Sequence, residues 1–261
     1  MYRLIFPLLI SLSLAVLPVC GPGSEPLETP DSNLDYYGST PPVNYLLGDF
    51  SPASHPLFVR LDRVNIPTGG RTIYLRKETA DALGRMYAAF QKDHPDVEFW
   101  ITSGTRNFRA QRGIWEAKWN GSRKVGGQKL NETIADPEQR ALKILEYSSM
   151  PGTSRHHWGT DFDVNKLTNG YYKSGPGKIL YDWMVANGGR YGFCQPYTAG
   201  RTSGYFEERW HWTYLPLARR FTKDWQRMVA DRYPAGKNFA GSKGAGDLAP
   251  IYVESINPAC Q

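Results

Sequence analysis

The chain has 261 residues, enough for one well-cored domain with extensions, and its 41% hydrophobic and 21% charged residues exclude a disordered or fibrous chain. The formal charge is +6, yet no run of five or more Lys or Arg occurs, which argues against a nucleic-acid partner or a polybasic lipid patch. A dispersed positive charge suits a protein working near anionic polymers. Aromatic residues reach 13%, with eight Trp and sixteen Tyr, which favours a site that grips something extended.

In chain order, residues 1–20 carry Arg3 and then an apolar run from Leu4 to Val19. This reads as an export signal, placing the protein in the periplasm or cell envelope. A retained membrane span fits less well, because the run is about 16 residues where roughly 20 are needed. Cys20 follows Leu17-Pro18-Val19 much as the lipid-accepting cysteine of a bacterial lipoprotein does, although Val19 is bulkier than the usual small residue. Membrane tethering through a lipid on Cys20 and ordinary secretion both stay open. Residues 21–42, rich in Pro, Gly and Ser, read as a flexible tether, residues 43–234 as the catalytic domain, and the Gly-rich residues 235–261 as a loosely packed tail.

Within the domain, Leu83, Met86, Tyr87 and Phe90 fall on one helical face, predicting a helix from Glu78 to Asp93. A strand is expected over Val97 to Thr102. Asn107 is positioned to cap a helix running to Trp119, and Asp136 followed by Pro137 opens another to Tyr147. Phe162 to Val164 reads as a strand and Lys178 to Ala186 as a helix closed by Asn187-Gly188-Gly189. Trp210 to Tyr214 is the next strand and Leu217 to Val229 the last helix. The fold class is therefore α+β rather than a repeated βαβ array. Cys194 and Cys260 are the thiols left after Cys20. In an oxidising compartment they either pair, stapling the tail to the domain, or remain two separate buried thiols.

The chemistry concentrates in two segments. One is Ser154-Arg155-His156-His157-Trp158-Gly159-Thr160-Asp161-Phe162-Asp163, the other Glu208-Arg209-Trp210-His211-Trp212. Two imidazoles and a carboxylate complete the protein ligands of a catalytic zinc with one open position, and a carboxylate that is not a ligand can then move the proton. The spacing is not that of a helix presenting two ligands at i and i+4. A loop entering a strand suits it, with Gly159 allowing a tight bend. On spacing alone, His157 and Asp161 are as eligible as His156 and Asp163, and nothing in the sequence brings His211 to the first segment.

The pattern S-x-H-x-x-G-x-x-x-D followed by E-x-W-H resembles the VanY-type zinc D-alanyl-D-alanine carboxypeptidases. The upstream Ser103-Gly104-Thr105-Arg106-Asn107 with Gln111 is similar to that family's S-G-Y-R-S-x-x-x-Q segment. The resemblance implies a small antiparallel sheet flanked by helices, with zinc held by His156, Asp163 and His211. It makes Glu208 the acid/base and Arg106 the electrophilic partner, and places Arg106, Ser154, Gln111 and Asp161 at the substrate, a peptidoglycan stem peptide. Asp161 either lines the groove or orients a metal ligand through a hydrogen bond, and Ser154 either meets the substrate or bonds the loop backbone. His157 is then expected beside the site or on the surface, and Trp158, Trp210 and Trp212 mainly in the core. Thr105 replaces the usual Tyr, and Asp161 stands where a small residue is common. The expected reaction is release of terminal D-alanine. The same centre would also serve an L,D-carboxypeptidase or a D-Ala-D-Ala dipeptidase, and a non-catalytic wall-peptide-binding domain is the alternative of another class.

Overall fold

A computed structural model describes residues 34–243 and 247–261; the expected export signal, Cys20 and the first part of the tether lie outside the described residues. Fourteen elements follow one another: α1 (Pro42–Leu46), β1 (Phe58–Arg60), β2 (Tyr74–Arg76), α2 (Lys77–Asp93), β3 (Ile101–Ser103), α3 (Phe108–Trp119), α4 (Leu130–Thr133), α5 (Pro137–Leu145), β4 (Asp161–Val164), α6 (Gly175–Asn187), β5 (Phe193–Cys194), β6 (His211–Tyr214), α7 (Leu215–Met228) and α8 (Ala249–Glu254) among the described residues. Short 3-10 turns link several of them. The fold is α+β, with a four-stranded sheet of order β3-β4-β6-β5 and a separate β1-β2 hairpin, all pairings antiparallel.

Local chemistry starts the helices where the residue types predict. The Asn107 side chain accepts from the Ala110 N–H at 2.9 Å, and that of Asp136 from the Gln139 N–H at 2.8 Å, each satisfying a donor the first helical turn leaves open. Helix α6 begins three residues before its expected start, where Pro176 occupies a first-turn position and needs no N–H partner.

The sheet separates a greasy face from a polar one by its two-residue period. Phe162, Val164 and Trp212 join Ile101 and Phe193 in a core with α2 and α6, including Phe90, Leu83 and Leu180. Burying each such side chain stabilises by about 1.5–3 kcal/mol. The alternate residues, Asp161, Asp163, His211 and Thr213, point to the opposite face, all buried. A second core gathers α1, α3, α5, α7 and the tail around Trp115, Trp158, Phe221 and Trp225.

Three expectations change. The strand expected at Val97 is shorter, because Asn165, at φ 49°, breaks the ladder and its side chain replaces it: the Trp100 N–H donates to Asn165 Oδ1 at 2.9 Å and Asn165 Nδ2 donates to the Glu98 carbonyl at 2.9 Å. The end of the expected tether is docked, since the buried Arg76 guanidinium donates to the carbonyls of Asp35 and Tyr36, and Tyr36 and Tyr37 pack on Phe221. The tail is packed rather than loose, by the pairing that was one of its two expected outcomes. Cys194 and Cys260 form a disulfide, the Trp115 indole donates to the Ala240 carbonyl, and Ala249, Val253 and Ile256 are buried.

Candidate metal centre and substrate groove

Strands β4 and β6 pair with Asp163 directly opposite His211 and Asp161 opposite Thr213. Opposed residues share a face, so the register brings an aspartate and a histidine 48 positions apart in the chain into contact. Asp163 Oδ1 lies 3.1 Å from His211 Nδ1 and 3.4 Å from His156 Nε2.

His156 arrives from the 3-10 turn Arg155–Trp158, which Gly159 closes at φ 74°. A Cβ on Gly159 would stand 2.4 Å from the Phe58 ring, so both conformation and space require glycine. Gly104 allows a similar close approach: a Cβ there would meet Ile73 at 2.6 Å and the Tyr74 carbonyl at 2.8 Å. The Gly104 carbonyl in turn lies 2.8 Å from His156 Nδ1.

For the neutral rings these contacts fix both tautomers. A carbonyl can only accept, so His156 Nδ1 carries the proton and Nε2 keeps its lone pair. The carboxylate of Asp161, 2.9 Å from His211 Nε2, leaves the lone pair on Nδ1. The two free lone pairs and Asp163 Oδ1 lie within 4.8 Å of one another. Asp163 Oδ1 is buried and accepts no hydrogen bond, an expensive arrangement for a carboxylate unless a cation completes it. Donor type, spacing and orienting partners all fit zinc. Burial opposes a charge on Asp163, but His156 and His211 hold it well below the usual carboxylate range. Burial and the nearby Arg106 push His156 down. With no metal, His211 is pushed up to about 9, because Asp161 and Asp163 outweigh its burial, so a cation bound at Nδ1 takes the place of a proton there.

The centre opens into a cavity of about 520 Å³ lined by Arg106, Lys118, Ser154, Tyr197, Glu208 and Trp210, among others. Glu208 Oε2 is 3.6 Å from His211 Nδ1. Burial, aided by Asp163, raises its carboxyl to about 7, against the pull of His211, Arg106 and Lys118. The Glu208 main chain is held at both ends, its N–H donating to the Tyr197 carbonyl and its carbonyl accepting from Gln195 Nε2. Arg106 is tied to the metal loop through its own main chain, its N–H donating to the His156 carbonyl at 3.1 Å. The Ser154 hydroxyl is buried in the groove wall without a hydrogen-bond partner.

A family model described as VanY, D-alanyl-D-alanine carboxypeptidase, matches residues 72–217, more than half of the chain and the span holding all of these residues. The chain belongs to the VanY family. YodJ of Bacillus subtilis (strain 168) is 29% identical over 146 residues, 54% of this chain and 46% of that protein, so the match spans about half the length of the relative. Among solved structures, the LdcB LD-carboxypeptidase is similar at 22% identity, covering 64% of this chain and 70% of that one with a TM-score of 0.48. A mutant of the vancomycin resistance D,D-pentapeptidase VanY in complex with Zn(II) is similar at 22% identity, covering 62% and 84% with a TM-score of 0.44.

In this VanY domain Asp161 takes the second of its two expected roles, and Gln111 is not at the substrate. Asp161 has no exposed surface, and both oxygens are engaged: Oδ1 accepts from Thr160 and Thr213 hydroxyls, Oδ2 from Arg155 Nε and His211. It orients a ligand and cannot reach a substrate. Gln111 is buried off the groove, donating to the Ser149 carbonyl at 2.7 Å, so it shapes the Ser148-Ser149 wall from behind. His157 is neither at the metal nor on the surface. It accepts from the Gly152 N–H and donates to the Arg106 carbonyl, anchoring the arginine's backbone, while burial lowers it to about 3. Trp158 and Trp212 are core residues, whereas Trp210 lines the groove.

Sequence reading missed Arg155, Thr213, Tyr197 and Lys118. Arg155 is a buried cation that donates to Asp161 and to the hydroxyls of Thr213 and Thr222. The Tyr197 ring packs 4.6 Å from His211. Lys118 alone left a signal, seven residues after Gln111 on the buried face of α3 that also holds Trp115.

Proposed function

We propose that this protein is an exported, zinc-dependent carboxypeptidase that releases the terminal D-alanine of peptidoglycan stem peptides. Membership of the VanY family supports the reaction class. The observation that carries the reading is the convergence of Asp163 Oδ1 and the free lone pairs of His156 and His211 at the base of an open groove, with the Glu208 carboxyl beside them.

A zinc ion held by His156, Asp163 and His211 would supply Lewis acidity and a water acidic enough to react near neutral pH. Glu208 takes the proton of the attacking water and delivers it to the leaving amine. Burial favours the protonated form of its carboxyl and the neighbouring positive charges the ionised form, a balance that suits a group that both takes and gives a proton. As the scissile carbonyl becomes tetrahedral its oxygen gains negative charge, which the Arg106 guanidinium on the groove wall stabilises. The unpartnered Ser154 hydroxyl is free to bond the substrate. A dipeptidase must also hold a free amine, and Asp161, committed to Arg155 and His211, is not available to do so.

The test is incubation of the purified, zinc-loaded protein with a muropeptide pentapeptide, a tetrapeptide and free D-Ala-D-Ala, with products identified by mass. D-Alanine release from the pentapeptide, abolished by a chelator and restored by zinc, is the expected result. Release from the tetrapeptide alone would make the enzyme an L,D-carboxypeptidase, and cleavage of none would leave a binding domain.

A further inference from the structure

Lys118 presents a positive charge in the groove wall without an acidic partner. Its side chain is 6% exposed. Its ammonium donates to the Ser148 hydroxyl at 2.5 Å and, more weakly, to the Tyr147 carbonyl at 3.5 Å. Of three ammonium hydrogens, at most two are used by these neutral oxygens. Among the described residues no carboxylate oxygen lies within the 4.0 Å of an ion pair. A cation so far out of water is costly unless an anion compensates it.

The acids of the groove are already engaged. Glu146 pairs with Lys143 at 2.6 Å and Glu207 with Arg209 at 3.0 Å. Asp163 belongs to the metal centre, and Glu208 stands by His211. Arg106, Arg123 and Lys124 also line the cavity and form no ion pair among the described residues. The groove therefore holds unpaired positive charge, with Lys118 its most buried member. Burial, Arg123 and Arg106 hold the Lys118 ammonium down to about 8 against the opposing effect of Glu208, so it gains from a further negative ligand.

We propose that Lys118 binds a carboxylate of the peptide substrate, away from the reacting carbonyl, and so sets which peptides the enzyme accepts. This rests on reading the groove as a peptide-binding site. The ligand chemistry is a free carboxylate, whether the peptide's terminal carboxyl or an internal side carboxyl.

Three synthetic pentapeptides test it: one with free carboxyls, one with the terminal carboxyl as an amide, and one with the internal side carboxyl as an amide. Each is titrated against the zinc-loaded wild type, Lys118→Met and Lys118→Arg, and turnover is followed where cleavage occurs. Lys118→Met should weaken binding and raise KM for the free-acid peptide by about ten- to a hundredfold, the size of a lost charge-assisted hydrogen bond. kcat should change by less than about threefold, since the contact is equal in ground and transition states. Lys118→Arg should recover most of the affinity, showing that the fold survives substitution. On the peptide whose amide blocks the recognised group, wild type and Lys118→Met should bind alike, and the identity of that peptide names the carboxylate. Equal losses by Lys118→Met on all three peptides, or wild-type affinity for the free acid, would overturn the assignment. Tight binding without cleavage would overturn the proposed reaction but leave this comparison intact. Failure of the wild type to bind any of the three would overturn both.

Discussion

Asp161 and His211 meet at 2.9 Å across two neighbouring strands, carboxylate to Nε2, on the side of the ring away from Asp163. That contact decides between the two roles open to Asp161 in the sequence: it aims His211 and does not meet the substrate. Asp161→Asn should weaken zinc binding by about ten- to a hundredfold, as loss of a ligand's orienting partner does. A chelator competition titration measures this directly. Asp161→Ala should in addition cost about 3–5 kcal/mol in stability, because it strands the buried Arg155 charge.

Removing a ligand should be more severe. His211→Ala should take bound zinc from one ion per chain to none and abolish peptide cleavage, read by metal analysis alongside product mass. Full zinc occupancy in this variant would refute the His156, Asp163, His211 assignment.

Glu208 carries two linked predictions. Glu208→Gln should keep its zinc and lose at least about a hundredfold in kcat, the typical worth of a positioned acid/base. It should also stabilise the metal-free protein at pH 8. The folded carboxyl sits at about 7 against a usual 4.5, so between these values the native state binds more protons than the unfolded chain. Stability contributed by the protonated form is full below pH 4.5 and lost as pH rises through 7. The glutamine variant escapes that loss, with a gain of about 2–3 kcal/mol at pH 8 and little at pH 4.5. Urea unfolding at the two pH values, after chelation, measures the difference.

The tail braces the wall that carries Glu208. The Asn257 N–H donates to the Pro196 carbonyl at 2.8 Å and its side chain to the Gln195 carbonyl at 3.2 Å, while Gln195 Nε2 supports the Tyr197 and Glu208 carbonyls. Cys260→Ser should cost about 2–5 kcal/mol in stability and lower kcat/KM severalfold with zinc retained. Thermal unfolding and kinetics on the same preparation test both. Unchanged stability would mean that packing of α8 alone holds the tail.

The sequence by itself determined what is local. The Asn107 and Asp136 caps, the amphipathic face of α2, the bend at Gly159 and the alternation in β4 and β6 depend on residues within a few positions of one another. Short-range sterics and hydrogen bonding decide these. The ordered motifs around Arg106, His156, Asp163, Glu208 and His211 were legible for a different reason: each is a compact run resembling a family's motif, and spacing alone left His157 and Asp161 as eligible. Only the tertiary structure decided what depends on strand register and long-range packing. A one-residue slip between β4 and β6 would put Asp163 opposite a different face, so its meeting with His211 is a property of the sheet. The fates of Asp161, Gln111 and Lys118 were settled in the same way. A carboxylate, an amide or an ammonium has no fixed role in the chain. Burial against Arg155, a bond to the Ser149 carbonyl and a groove wall without a free acid gave each of them one.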